Sequence, residues 1–112
     1  MMIFKIFRAD EWAVLCADGQ TLGAPVDLAD GFIHFSTAAQ AAETAAKHFA
    51  GIDGLMLAGV DADTLGPDLK WEPSRGGALF PHLYRALARA EVVWTAPLPL
   101  TADGHDFPEL PA

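Results

Sequence analysis

Short apolar blocks recur along the chain and predict several short strands. Segment 2–7 is apolar at nearly every position, which is typical of a central strand covered on both faces. Segments 55–60 and 92–94 are similar, whereas 69–72 and 80–84 alternate between apolar and polar residues. Segment 80–84 is predicted as a strand or an edge strand, since Pro81 cannot donate a ladder hydrogen bond.

The first helix is predicted just after the N-terminal strand. Trp12, Leu15 and Cys16 recur at helical spacing and form an apolar stripe. Asp10 is expected as the N-cap and Gly19 as the residue just past the C-terminus. Cys16 lies on the stripe and is expected to be a small core residue without a catalytic role.

The second helix is predicted over residues 38–49. Thr37 and Gln40 have the spacing of a capping box, and Gly51 is expected to end the helix. Alanines on one side would let the helix lie close to a sheet. His48 is expected to have a structural role near the helix end.

Two further stretches are expected to be irregular. Segment 21–29 contains Pro25, with Asp27 and Asp30 nearby, and is expected to run over the surface. Proline at several positions keeps most of the tail irregular from about residue 97. Asp61 and Asp63 are better explained by turn capping than by a calcium loop.

Composition limits the classes of function. A chain of 112 residues with 52% apolar and 20% charged residues predicts one folded domain over residues 1–112. A formal net charge of −8 disfavours nucleic acids and anionic membranes as partners. One cysteine excludes an internal disulfide and suits a reducing cytoplasm. The apolar N-terminal run is too short for a signal or membrane segment, so a cytoplasmic location is expected.

The stretch D-G-F-I-H-F-S-T-A-A-Q, residues 30–40, has the densest candidate chemistry. Strand alternation puts Phe32, His34 and Ser36 on one face. Thr37 follows at a predicted helix N-terminus, where unpaired N–H groups favour an anion or a sugar hydroxyl. The simpler alternative is that His34 is a satisfied core histidine and that Ser36 and Thr37 only cap the helix.

A second polar group lies between residues 69 and 84. His82 and Tyr84 share a strand face with Phe80, and Glu72 lies on an earlier alternating strand. Arg75 precedes two glycines in the intervening loop. Buried polar groups are costly unless paired, so these side chains either satisfy one another or line a polar cleft.

Together, D-G-F-I-H-F-S-T-A-A-Q, K-W-E-P and F-P-H-L-Y, with a tryptophan in the first helix, resemble the bacterial family of unknown function 952 (DUF952). The resemblance covers Ile3 to about Pro97. It implies an α+β fold of the ADP-ribosyltransferase-like group. In that fold small antiparallel-rich sheets, with two main helices here, surround a cleft for a dinucleotide.

The resemblance also implies a chemistry. His34 and Ser36 would hold NAD as a substrate, as the His-Gly-Ser/Thr strand motif of ADP-ribosyl-transferring enzymes does. Tyr84 would stack on the nicotinamide, and Glu72 would stabilise an oxocarbenium ion or orient the acceptor. Arg75 would meet the pyrophosphate. Phe35 departs from the motif, because it replaces the glycine that approaches the nicotinamide.

The expected function is therefore a polar cleft for a nucleotide-like small molecule, with ADP-ribosyl-transfer-like chemistry carried by His34 and Glu72. Thr37, Arg75, His82 and Tyr84 complete the expected binding residues with Ser36. One alternative is a binding module without turnover. A second is a metal-dependent hydrolase using His34, His82 and Glu72, although none of them has a local metal-ligand spacing, so no metal is expected. The remaining alternative is a purely structural role for the polar faces.

Overall fold

The apolar N-terminal strand lies inside the largest sheet of the protein, as its sequence predicts. In the computed structural model, which describes residues 1–74 and 76–111, short antiparallel sheets combine with helices in an α+β fold. The helices are α1 (Ala9–Asp18), α2 (Pro25–Asp30) and α3 (Ala38–His48). The strands are β1 (Met2–Phe7), β2 (Gln20–Thr21), β3 (Ile33–His34), β4 (Ser36–Thr37), β5 (Leu55–Asp61), β6 (Leu69–Ser74), β7 (Ala78–Leu83), β8 (Leu87–Ala88), β9 (Val92–Leu98), β10 (Leu100–Thr101) and β11 (Gly104–His105), and 3₁₀ turns span Ala62–Thr64, Gly66–Asp68 and Arg89–Glu91.

The largest sheet has the strand order β4-β1-β5-β9 and is covered on both faces. Along β1, Ile3 and Phe7 enter one hydrophobic cluster, and Phe4 and Ile6 enter another. Lys5 shares the face of Ile3 and Phe7 by strand alternation and is only 5% exposed. A cation is therefore buried within an otherwise apolar strand.

Two predictions about α1 are wrong. The N-cap is Arg8 and not Asp10. The Asp10 carboxylate instead accepts a hydrogen bond from the backbone N–H of Glu11. Cys16 is exposed, because Leu15 occupies the core-facing position and adjacent helical residues point about 100° apart. The predicted end at Gly19 is confirmed, with a positive φ of 77°.

The second predicted helix is present as α3. Ala41 and Ala45 are buried, and the Thr37 N–H donates to the Gln40 side-chain oxygen at 3.0 Å. The helix is capped at Phe49, before the predicted stop at Gly51. Among the described residues, no helix is long and apolar enough to cross a membrane.

The segment predicted to be irregular contains α2. Pro25 stands in the first turn, where its missing N–H costs nothing, and Gly31 ends the helix at a φ of 84°. Asp27 on this short helix is buried. The sequence indicated a surface stretch because one turn and a half of helix gives too few positions for a periodic pattern.

Strand β7 is also not the edge strand that Pro81 suggested. It is the middle strand of the order β3-β7-β6. β3 ends at His34, and beyond it the Pro81 carbonyl accepts a hydrogen bond from the Phe35 N–H at 3.0 Å. The proline is tolerated because its nitrogen, which has no hydrogen to donate, lies on the side of β7 where the short strand β3 has already ended.

The tail is more regular than its prolines suggest. β9 continues through Pro97, which lies opposite Met56, to Leu98. Because β9 is an edge strand, it can contain a proline without the loss of a hydrogen bond inside the sheet. β10 and β11 then pair as a short hairpin.

Candidate functional site

A cavity of about 770 Å³ opens beside β1, α2 and β7. Four phenylalanines contribute to its wall, and the polar side chains include those of His34, Ser36 and His82. The aromatic members are Phe4, Phe35, Phe49 and Phe80. The cavity thus combines flat apolar surfaces with a small number of hydrogen-bonding groups.

Asp27 connects the cavity wall to the buried cation of β1. One carboxylate oxygen accepts from Lys5 Nζ at 2.9 Å and from the Ala24 N–H at 2.7 Å. The other accepts from the His34 N–H at 3.1 Å and lies 2.5 Å from His34 Nδ1. Four contacts on two oxygens satisfy this buried carboxylate and fix the position of the His34 ring.

The pKa of Asp27 reflects this environment. Burial alone raises the pKa of the carboxyl, but the hydrogen bond with His34 and the charge and hydrogen bond of Lys5 outweigh it and lower the pKa to about 2. Asp27 is therefore an acceptor at neutral pH. The proton in its contact with His34 belongs to Nδ1.

The other ring nitrogen of His34 faces a second carboxylate. Nε2 lies 3.0 Å from Asp30 Oδ2, and the Asp30 side chain is 47% exposed. His34 is thus held between a buried carboxylate and an exposed one. The Nδ1 contact is a hydrogen bond, whereas the Nε2 contact has the distance of an ion pair and is one only when the ring is protonated.

His82 lies directly opposite His34 in the β3–β7 pairing, and the ring centroids are 5.4 Å apart. Its Nδ1 lies 2.8 Å from Glu72 Oε1, which also accepts from the Tyr84 hydroxyl at 2.7 Å. The Phe32 ring stacks on the His82 ring with centroids 4.1 Å apart. The hydrogen bonds from Tyr84 and then from His82 lower the pKa of Glu72.

The structure separates the sequence-predicted site residues into two groups. His34, Ser36 and His82 line the cavity, and the Ser36 hydroxyl lies 2.9 Å from that of Thr44 on α3. Glu72 and Tyr84 do not line it, and the Tyr84 hydroxyl donates to Glu72 at 2.7 Å outside the lining.

Two predicted residues remain. Thr37 is the N-cap of α3 and lies outside the cavity lining. Arg75, predicted to meet a pyrophosphate, lies outside the residues that the structure describes.

Sequence reasoning missed the network behind His34. Lys5, Asp27 and Asp30 all line the cavity, yet none was predicted as a site residue. A signal existed: a lysine in an apolar central strand must find a buried anion or neutralise. What the sequence did not reveal was which of the fifteen acidic residues supplies that anion.

The three residues of the metal-dependent hydrolase, the second alternative, contact Asp27 or one another. His34 Nδ1 contacts Asp27, and Glu72 contacts His82 Nδ1. Over residues 1–74 and 76–111, no three His, Cys, Asp or Glu side chains are grouped as metal ligands.

Comparison with known proteins gives one family and one relative of known structure. A family model described as a protein of unknown function (DUF952) matches residues 6–95. The crystal structure of protein CC0527 from Caulobacter crescentus is 55% identical, with a TM-score of 0.90, and the match covers 94% of this chain and 92% of that one. Its solution NMR structure is 56% identical, with a TM-score of 0.83, covering 93% and 90%. No curated protein matches the chain.

Proposed function

The chain belongs to the DUF952 family, and we propose that its cavity binds a nucleotide-like small molecule, with His34 as the main hydrogen-bonding residue. One observation carries the proposal: a histidine fixed by a buried carboxylate stands in the wall of a cavity of about 770 Å³. Ligand sites of small molecules usually have volumes of roughly 300–1,000 Å³ and a few fixed polar groups in an apolar lining.

The lining fits the parts of a nucleotide. The phenylalanines of the lining supply apolar surface for a planar base, and Phe49 is the partly exposed one among them. His34, His82 and Ser36 supply hydrogen-bonding groups for ribose hydroxyls or phosphate oxygens. Because Asp27 holds the His34 ring in place, little side-chain freedom is lost when a ligand binds.

ADP-ribosyl transfer from NAD is the second candidate. It is favoured by the presence of both His34 and Ser36 in the cavity lining, in the spacing that the family resemblance relates to dinucleotide binding. The carboxylate that this chemistry would take from Glu72 does not reach the cavity lining. Binding without turnover therefore comes first, and NAD is tested both as ligand and as substrate.

A thermal-melt series tests the proposal with NAD, ADP-ribose, AMP and adenosine. A ligand that binds only the folded state stabilises it by about 2.7 kcal/mol at a hundred times its dissociation constant. We expect stabilisation by at least one of these compounds, and assays for nicotinamide release distinguish turnover from binding.

His34→Ala should remove the shift while keeping the fold, as checked by circular dichroism. His105→Ala is the matched control, because His105 bonds the Ile52 carbonyl away from the cavity. Absence of any shift with the native protein contradicts the proposal. A shift that survives in His34→Ala contradicts the role of His34, and unfolding of that variant would make His34 a core residue.

A further inference from the structure

The Asp30 side chain lies beside the His34 ring at the C-terminal end of α2. Across the described residues, His34 is the group with which its carboxylate pairs, at 3.0 Å from Nε2. Asp30 is the last residue of α2, whose last turn has no basic residue. A carboxylate at a helix C-terminus meets the negative end of the helix dipole, so the helix itself gains nothing from it.

The charges around His34 balance only when Asp30 is included. Lys5 and Asp27 form a buried pair at 2.9 Å, which cancels one positive and one negative charge. A protonated His34 ring is a cation, and Asp30 is the carboxylate that compensates it, at 3.0 Å from Nε2. If Asp30 moves away from a protonated ring, Nε2–H becomes a charged donor on a residue of the cavity lining, and an anionic acceptor matches it best.

We propose that the Nε2 side of His34 is the subsite for an anionic phosphate oxygen of the ligand, and that Asp30 fills it until the ligand displaces it. The inference rests on the proposed function and identifies the phosphate as the group that His34 recognises. Asp30 is about half exposed, so its carboxylate can rotate into water. Asp27 cannot take its place, because four contacts hold it.

The selectivity follows from hydrogen-bond direction. A phosphate oxygen accepts and carries charge, so it replaces both functions of the Asp30 carboxylate. A ribose hydroxyl accepts without charge and leaves the imidazolium uncompensated. A nucleoside monophosphate should therefore bind more tightly than its nucleoside, although the protein has a net charge of −8.

Calorimetric titration of AMP, adenosine and inorganic phosphate into Asp30→Ala tests the inference. We expect the variant to bind AMP roughly fivefold more tightly than the native protein, the scale of one partly exposed ion pair. Its affinity for adenosine should be unchanged. Asp10→Ala is the matched control, because Asp10 is another exposed acid of the cavity lining and has no contact with His34.

The outcomes separate the two proposals. If adenosine and AMP bind equally to the native protein and Asp30→Ala changes neither, the phosphate subsite is wrong while the binding function stands. If Asp10→Ala increases the affinity for AMP as much as Asp30→Ala does, the increase reflects only the change in net charge, and the subsite is again wrong. If neither compound binds native protein or variant, the binding function fails.

Discussion

The two histidines that face each other across β3 and β7 use the same contact in opposite surroundings. Each ring meets a carboxylate through Nδ1. In the first pair the carboxylate of Asp27 is buried and the His34 side chain is 33% exposed. In the second pair the His82 side chain is 6% exposed and that of Glu72 is 37% exposed.

This inversion indicates different roles for two pairs that look alike in sequence. A buried carboxylate with an open ring gives the cavity a hydrogen-bonding ring in a fixed position, and the carboxylate that fixes it is shielded from water. A buried ring with an open carboxylate leaves the charge in solvent, where an ion pair contributes little to stability. The difference lies in Lys5, because only Asp27 has a buried cation behind it.

The largest expected contrast is in stability. Asp27→Asn should lower the free energy of unfolding by about 3–5 kcal/mol, because it leaves the Lys5 charge buried without its anion. Glu72→Gln should cause no comparable loss, since its carboxylate is partly exposed. Urea denaturation of both variants measures the contrast. Lys5→Met in the Asp27→Asn background should restore part of the loss, and equal destabilisation by the two single variants would contradict the comparison.

The next effect is on acid stability. The folded pKa of Asp27 is lowered from 3.8 to about 2, so its contribution is complete above pH 3.8 and is lost as the pH falls through 2. The lost stability is about 2 kcal/mol at 1.36 kcal/mol per pKa unit. Denaturation curves recorded between neutral pH and pH 2 should show this loss in the native protein and in Glu72→Gln. If Asp27→Asn lost as much stability between neutral pH and pH 2 as the native protein does, another group would cause the loss.

The smallest effect is a local shift in titration. Because the Tyr84 hydroxyl is the first cause of the lowered pKa of Glu72, Tyr84→Phe should raise that pKa toward its usual value of 4.5. Carboxyl-carbon NMR titration measures the change. In the same experiment the pKa of Asp27 should stay where it is, and a parallel shift would mean that the two pairs are coupled through Phe32.

How far the sequence predicts this molecule depends on how local each cause is. The apolar pattern of β1 and the Thr37–Gln40 cap are local, and both predictions are confirmed. The helix α2 was not predicted, because six residues cannot reveal a period of 3.6. The central place of β7 was missed because Pro81 is tolerated only through the early end of β3, which is a property of the partner strand.

The site follows the same rule. His34 and Ser36 were proposed from strand alternation, and both line the cavity, although they lie on separate strands, β3 and β4, that belong to different sheets. Asp27 was missed because its partner Lys5 is 22 residues away in sequence, and only the packing of α2 on β1 brings them together. Glu72 was expected in the cleft, but it lies outside the cavity lining and accepts hydrogen bonds from His82 and Tyr84.

The shortness of α2 has a consequence for motion. A helix of six residues is far below the length at which an isolated helix is stable in water, so α2 persists through its tertiary contacts. Its polar anchors are the contacts of Asp27 with Lys5 on β1 and with His34 on β3. Backbone amides of α2 should therefore exchange with solvent deuterium together, when these contacts open. A ligand held by His34 would slow that exchange across the whole helix, including residues that it never touches.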